Sequence, residues 1–144
     1  MANEEHFRKL ERTYLSAPTN AYYRPAIRIG EGWAEIRLPI RPEFHHSAHA
    51  AHGSLYFKAL DDAAFFAVNS TVEDVFVLTA SFNLHLLRPI AAGEMRARGT
   101  LVHRSQRLFL AEAEIKDAEG RLLARGSGTF ARSTIALGPE IGYR

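Results

Sequence analysis

The sequence predicts an α+β arrangement in which one long apolar helix is wrapped by a curved antiparallel sheet. Three observations carry that expectation. Residues 53–70, GSLYFKALDDAAFFAVNS, set apolar side chains around most of a helix circumference. From Val75 onward the apolar period falls to two, the period of a strand. Turn-forming residues then divide this second half into four strand-length segments.

The elements follow in chain order. Residues 4–16 place Phe7, Leu10 and Tyr14 on one helical face, with Asn3 positioned to cap the first turn. SAPTN ends that helix, because Pro18 disfavours helical backbone at the residue before it. GWAEIRLPI (32–40) alternates and forms the first strand, closed by Pro39 and Pro42. A histidine-rich loop leads into the long helix. At 100° per residue the polar stripe of that helix is Ser54, Lys58, Asp62 and Asn69, and four alanines let strands approach it closely. About 17 residues span roughly 25 Å.

VFVLTASFNLHLLRPI (75–90) divides Phe76, Leu78, Ala80, Phe82, Leu84 and Leu86 from Val77, Thr79, Ser81, Asn83 and His85. GEMRARGTLVH turns Met95, Ala97, Gly99 and Leu101 inward. RLFLAEAEIKD does the same with Phe109, Ala111, Ala113 and Ile115. DAEG (117–120) is a hairpin turn with Gly120 suited to left-handed backbone, and RLLARGSGTFA is the last strand. There Gly126 and Gly128 mark a bend or a close backbone approach. A helix apolar over most of its girth needs more cover than one small sheet supplies, so a dimer that extends the sheet is expected.

Composition narrows the function classes. The 144 residues fit one domain spanning 1–144, and 47% are hydrophobic, an ordinary globular proportion. There is no cysteine, which removes disulfides, thiolate catalysis and Cys-based zinc sites. Lys and Arg number 18 against 16 Asp and Glu and form no basic block, so nucleic acid is not an expected partner. No apolar run reaches membrane-spanning length and MANEEHFRKLER is not a secretory signal, so a cytoplasmic location is expected.

The chemistry concentrates in FHHSAHAAHGSLYFKALDD (44–62). Gly53 stands where the loop enters the long helix, so its N–H is free to meet a carbonyl or an oxyanion. Asp62 falls on the polar stripe one turn beyond Lys58 and reads as a solvated partner of that lysine. Asp61 falls between Phe57, Phe65 and Val68 on the wheel, where desolvation raises a carboxylate's proton affinity, making it the stronger catalytic candidate. Gly53 and Asp61 are eight residues apart, roughly 12 Å along one helix. Reacting atoms must come within about 3–3.5 Å. If both residues act on one bond, they belong to different subunits with antiparallel helices. His45, His46, His49 and His52 lack a HExxH-type frame, so no metal is expected; His45 and His49 read as loop surface.

HGSLYFKALDDAAFFAVNS resembles the hotdog-fold thioesterases of the PaaI-like (phenylacetate-degradation) branch. His52-Gly53 matches the family's HG, and Asp61 stands nine residues after the histidine, where the family has an acid. TASFNLHLLRPIAAGE (79–94) and GRLLARGSGTF are similar to its strand and turn and to its last strand, so the likeness covers residues 25–132. The resemblance implies hydrolysis of an acyl-CoA thioester by a homodimer or dimer of dimers, with no cofactor beyond CoA as part of the substrate. It implies that the Gly53 N–H polarises the thioester carbonyl and that Asp61 of the other chain is nucleophile or general base. His52 would shape the site, Thr79 would assist the water, and His46 falls where the family has Asn or Gln. Ser54 replaces the second glycine of HGG, and Arg88, Arg104 and Arg107 are the basic side chains proposed for the CoA phosphates. Thr79 lies on the polar face of its strand by periodicity. Two other functions stay open at this stage: a non-catalytic acyl-CoA sensor and a hotdog hydratase or dehydratase.

Overall fold

The computed structural model describes residues 3–144. Helix α1 (Glu4–Leu15) begins at Asn3, whose side chain accepts from the His6 N–H, and it buries Phe7, Leu10 and Tyr14 as expected. The proline that ends it also starts another helix. Pro18 is the first residue of a short α2 (Pro18–Tyr23), a position where its missing N–H costs nothing. The periodicity of GWAEIRLPI is real but belongs to the second strand. A preceding strand β1 (Ala26–Gly30) pairs with β2 (Trp33–Pro39) across Glu31-Gly32, and Gly32 takes φ +78°. AIRIG is too short for its alternation to stand out in the sequence.

The long helix α3 (Gly53–Asn69) lies against strands β3 (Val75–Leu86), β4 (Glu94–Arg104), β5 (Leu108–Lys116) and β6 (Leu122–Ala136). All pairings are antiparallel, and the order is β1-β2-β4-β5-β6-β3. The alanine stripe does what its small size allows: Ala59, Ala63, Ala64 and Ala67 are fully buried. At the tightest point a Cβ on Gly99 of β4 would stand 2.3 Å from the Ala63 backbone. Gly126 and Gly128 serve Phe82, whose ring lies 2.5 Å from where either Cβ would be.

The two sheet edges are treated differently. On β1 the Ile29 N–H donates to Glu11 Oε2 at 2.9 Å and the Ile29 carbonyl accepts from Arg8 at 2.6 Å. Side chains of α1 thus occupy the place of a further strand. Among the described residues strand β3, 12 residues long, pairs only with β6 and presents its other edge open.

One residue of the polar stripe departs here from the helical wheel. Asn69 is not on a solvent stripe but is fully buried. Its Oδ1 accepts from the Val77 N–H at 2.9 Å, and its Nδ2 donates to the Val72 and Val75 carbonyls at 3.1 Å. The end of α3 is thereby tied to the start of β3, and this tie sets which part of the strand faces which turn of the helix.

Candidate active site

The tie at Asn69 places β3 antiparallel to α3, so residues just after Val77 run beside the turn holding Asp61. Strict alternation then fails. A bulge between Thr79 and Ser81 sets an extra residue of β3 against β6 and reverses the strand's facing. Before it, Val77 is buried and Thr79 points at the helix, while Leu78 is exposed; after it, Phe82 and Leu84 turn inward. The face assigned to Thr79 by periodicity is therefore corrected. Its Oγ1–H donates to Asp61 Oδ1 at 2.9 Å.

Asp61 is partly buried. Desolvation is the main reason its carboxyl is pushed up from the ordinary 3.8 to about 6; the Thr79 hydrogen bond and Lys58 pull it down, and Asp62 pushes it further up. It borders an apolar cavity of about 190 Å³ lined also by Tyr14, Phe65, Phe66 and Phe76. Asp61 above about pH 6 is an anion in a poorly hydrated place, the condition of a competent base or nucleophile.

Asp62 is not solvated. Helix α1 lies over it: Asp62 Oδ2 accepts from Tyr14 Oη at 2.6 Å and pairs with Lys58 Nζ at 2.9 Å, both charged side chains being under a fifth exposed. Burial raises its proton affinity, opposed by Lys58 and Tyr14. Tyr14 is one of the residues that periodicity assigned only to the core.

The other end of α3 gathers a second group. His52 is the N-cap, with Nδ1 accepting from the Ser54 N–H at 3.0 Å and lying 2.9 Å from Ser54 Oγ. An accepting Nδ1 places the ring proton on Nε2. Gly53 adopts no positive φ, so no turn requires glycine there. Among the described residues its N–H has no hydrogen-bond partner, and a Cβ would press only on Leu86 Cδ1 at 3.2 Å. Gly53, His46, Tyr56, Leu86 and Arg88 border one cleft of about 310 Å³. His46 Nδ1 accepts from the Ala48 N–H, and Tyr56, unmarked by any sequence signal, fixes the Arg88 backbone by donating to its carbonyl at 2.8 Å.

Thus His46, His52, Gly53, Ser54 and Arg88 come together at the start of α3, and Asp61 and Thr79 come together two turns on. Within one chain these are two separate half-sites. Arg104 and Arg107 join neither; they lie with Arg132 around a depression at the β4–β5 hairpin. His45 is tied to the Ala91 carbonyl, and His49 is exposed with φ +66°. No group of three or more His, Asp or Glu side chains converges as for a metal among the described residues.

The thioesterase superfamily model matches residues 48–124, from the histidine loop through α3 into the last strand. The chain belongs to the thioesterase superfamily. The fold of this superfamily member is the hotdog fold. The PaaI protein of the Escherichia coli phenylacetic acid degradation operon superposes with TM-score 0.83 at 19% identity, covering 92% of this chain and 96% of that one. A Haemophilus influenzae thioesterase gives TM-score 0.73 at 20% identity over 83% and 85% of the two chains. A Saccharolobus solfataricus protein carrying a provisional esterase name is 23% identical over 129 residues, 90% of this chain and 89% of its own. The two solved structures share the fold of this superfamily member, and the family match supports thioester hydrolysis in general.

Proposed function

We propose that the protein is a homodimeric acyl-CoA thioesterase whose two half-sites meet across β3. The observation that carries this is the separation itself: an open helix-N-terminal N–H and a carboxyl pushed up to about 6 lie in different cavities of one chain beside an unpaired strand edge. Antiparallel pairing of two β3 strands centred between Phe82 and Asn83 sets Thr79 opposite the partner's Leu86. Leu86 is the side chain next to Gly53 and Thr79 the one next to Asp61, so one such pairing completes two equivalent sites. Phe57, Leu78 and Leu86, large apolar side chains left exposed around that edge, would be covered by it. Val102, Leu108 and Leu110 on the outer sheet face offer a second apolar surface for a dimer of dimers.

In the reaction the thioester oxygen accepts from the Gly53 N–H, which polarises the carbonyl with help from the α3 dipole. Asp61 of the partner subunit attacks that carbon or takes a proton from the attacking water. Thr79 donates to one Asp61 oxygen and leaves the other free for this work. The C–S bond breaks and CoA leaves, its sulfur taking up a proton; where water attacks, the acid forms directly, and where Asp61 attacks, a water molecule then cleaves the acyl–Asp61 anhydride to the acid and restores the carboxylate. Arg88 borders the same cleft as Gly53 and would meet the CoA phosphates there, whereas Arg104 and Arg107, at the β4–β5 hairpin, lie outside both half-sites.

The test is thiol release from acetyl-, hexanoyl-, benzoyl- and phenylacetyl-CoA, followed by complementation. Asp61→Asn removes the base. Gly53→Pro removes the N–H at a position where proline is well tolerated, since His52 already has φ −61° and ψ 147°. Each variant alone loses roughly a hundredfold or more. After subunit exchange, half the dimers are mixed and each holds one intact site, restoring about a quarter of wild-type activity. No restoration in demonstrably mixed dimers would place the whole site in one chain. Tight CoA binding without turnover would instead favour a sensor.

A further inference from the structure

We propose that the Lys58–Asp62 ion pair, held by Tyr14 and Tyr23, is a positioning unit that sets the charge state in which Asp61 works, making α1 and α2 part of the catalytic apparatus. This rests on Asp61 being the catalytic carboxylate. The pair sits on the same two turns of α3 as Asp61. Asp62 receives the Tyr14 hydroxyl at 2.6 Å, and Lys58 Nζ stands 5.0 Å from the Tyr23 ring centroid and 5.4 Å from that of Tyr14. Tyr14, Lys58, Asp62 and Asp61 all border one cavity, which α1 and α2 close over with Thr13, Ala17 and Asn20.

Stability gives little reason to bury such a pair, because apolar residues of similar size usually serve as well or better. Its position gives a reason. Asp62 and Lys58 act on the Asp61 charge with opposite sign, the carboxylate disfavouring it and the ammonium favouring it. Within one chain the ionisable groups facing Asp61 are Asp62 and Lys58 from α3 and Tyr14 from α1; in the proposed dimer the half-site holding the partner's His46 and the partner's His52 adjoins it as well. Strand β3 contributes Thr79 and Phe76, and α2 contributes Thr19 and Asn20, none of which carries charge. Tyr14 itself is held neutral, its proton affinity raised chiefly by burial and then by Asp62. The helices over the pair leave both side chains under a fifth exposed, so the two charges act on Asp61 through a medium that screens less than bulk water.

The experiment is the pH profile of kcat/KM for the full-length dimer, using the acyl-CoA of the panel that the wild type turns over fastest. Asp62→Asn keeps an acceptor for Tyr14, and Lys58→Gln keeps a donor; thermal melts confirm that each folds. Asp62→Asn should move the acid limb down by roughly one pH unit and Lys58→Gln should move it up by a similar amount. For Asp62→Asn this is about a fivefold gain one unit below the wild-type midpoint. The double variant should lie between the two. Should one single variant not fold, the direction of the other decides. A uniform loss of kcat/KM with the acid limb unmoved overturns the proposal and makes the pair purely structural. Asp61→Asn is the control that separates the two levels: wild-type turnover there removes the catalytic role of Asp61 itself.

Discussion

Asp61→Asn should make the protein more stable at neutral pH while abolishing turnover. The folded carboxyl releases its proton near 6, against an ordinary 3.8, so the native state holds that proton more tightly than the unfolded chain does. A raised carboxylate therefore favours folding as pH falls through about 6 toward 4 and opposes it above 6. At pH 7.5 the difference between about 6 and 3.8 corresponds to about 3 kcal/mol of destabilisation by the buried charge. Asparagine removes that charge and can still accept from Thr79, although its amide group needs an acceptor of its own. A net gain of about 1–2 kcal/mol is expected, or about 3–8 °C in Tm. The assay is a pair of thermal melts of wild type and variant, at pH 7.5 and at pH 4. The gain should largely vanish at pH 4, where wild-type Asp61 is already neutral. An Asp61→Asn protein that is less stable at both pH values would refute the reasoning. It would show a carboxylate kept for the hydrogen bonds it makes rather than tolerated for its chemistry.

Turnover of the wild type should fall about tenfold in kcat/KM between pH 7 and pH 5, following the ionised fraction of a group titrating near 6. Thr79→Val removes the donor that stabilises the Asp61 anion, so the acid limb should move up by roughly one unit; the same pH profile checks both statements. Gly99→Ala drives a methyl to 2.3 Å from the Ala63 backbone, so helix and sheet must separate, and urea unfolding should show a loss of about 1–3 kcal/mol. Asn69→Leu leaves the Val77 N–H and two carbonyls without their partner, costing about 2–4 kcal/mol by the same measurement. Because it also frees the register of β3 against α3, turnover should fall in the fraction that remains folded.

The parts of the molecule legible in the sequence are those fixed by local period and spacing. The long helix, the inward sides of β4 and β5, the turn at Gly120 and a close approach at Gly126 and Gly128 all follow from side-chain size and alternation, while the partner in that approach, Phe82, came from the structure. So does the separation of Gly53 from Asp61, because eight helical residues have a fixed length. Periodicity failed where a single residue broke it or where a distant segment intervened. The β3 bulge adds one residue, and one residue reverses every side chain beyond it, so Val77 and Thr79 face the helix before it and Phe82 and Leu84 after it, which no single alternation over the strand describes. Strand β1 and helix α2 are too short for a pattern to accumulate.

The two neighbouring aspartates show the division most plainly. Sequence by itself determined that their side chains leave the helix about 100° apart and therefore meet different surroundings. It correctly set Asp61 against apolar side chains. Only the tertiary structure decided that Asp62 is enclosed as well, because the hydroxyl that reaches it comes from Tyr14, 48 residues earlier. A helical wheel records the direction in which a side chain points; which segment folds over it depends on contacts between parts of the chain far apart in sequence.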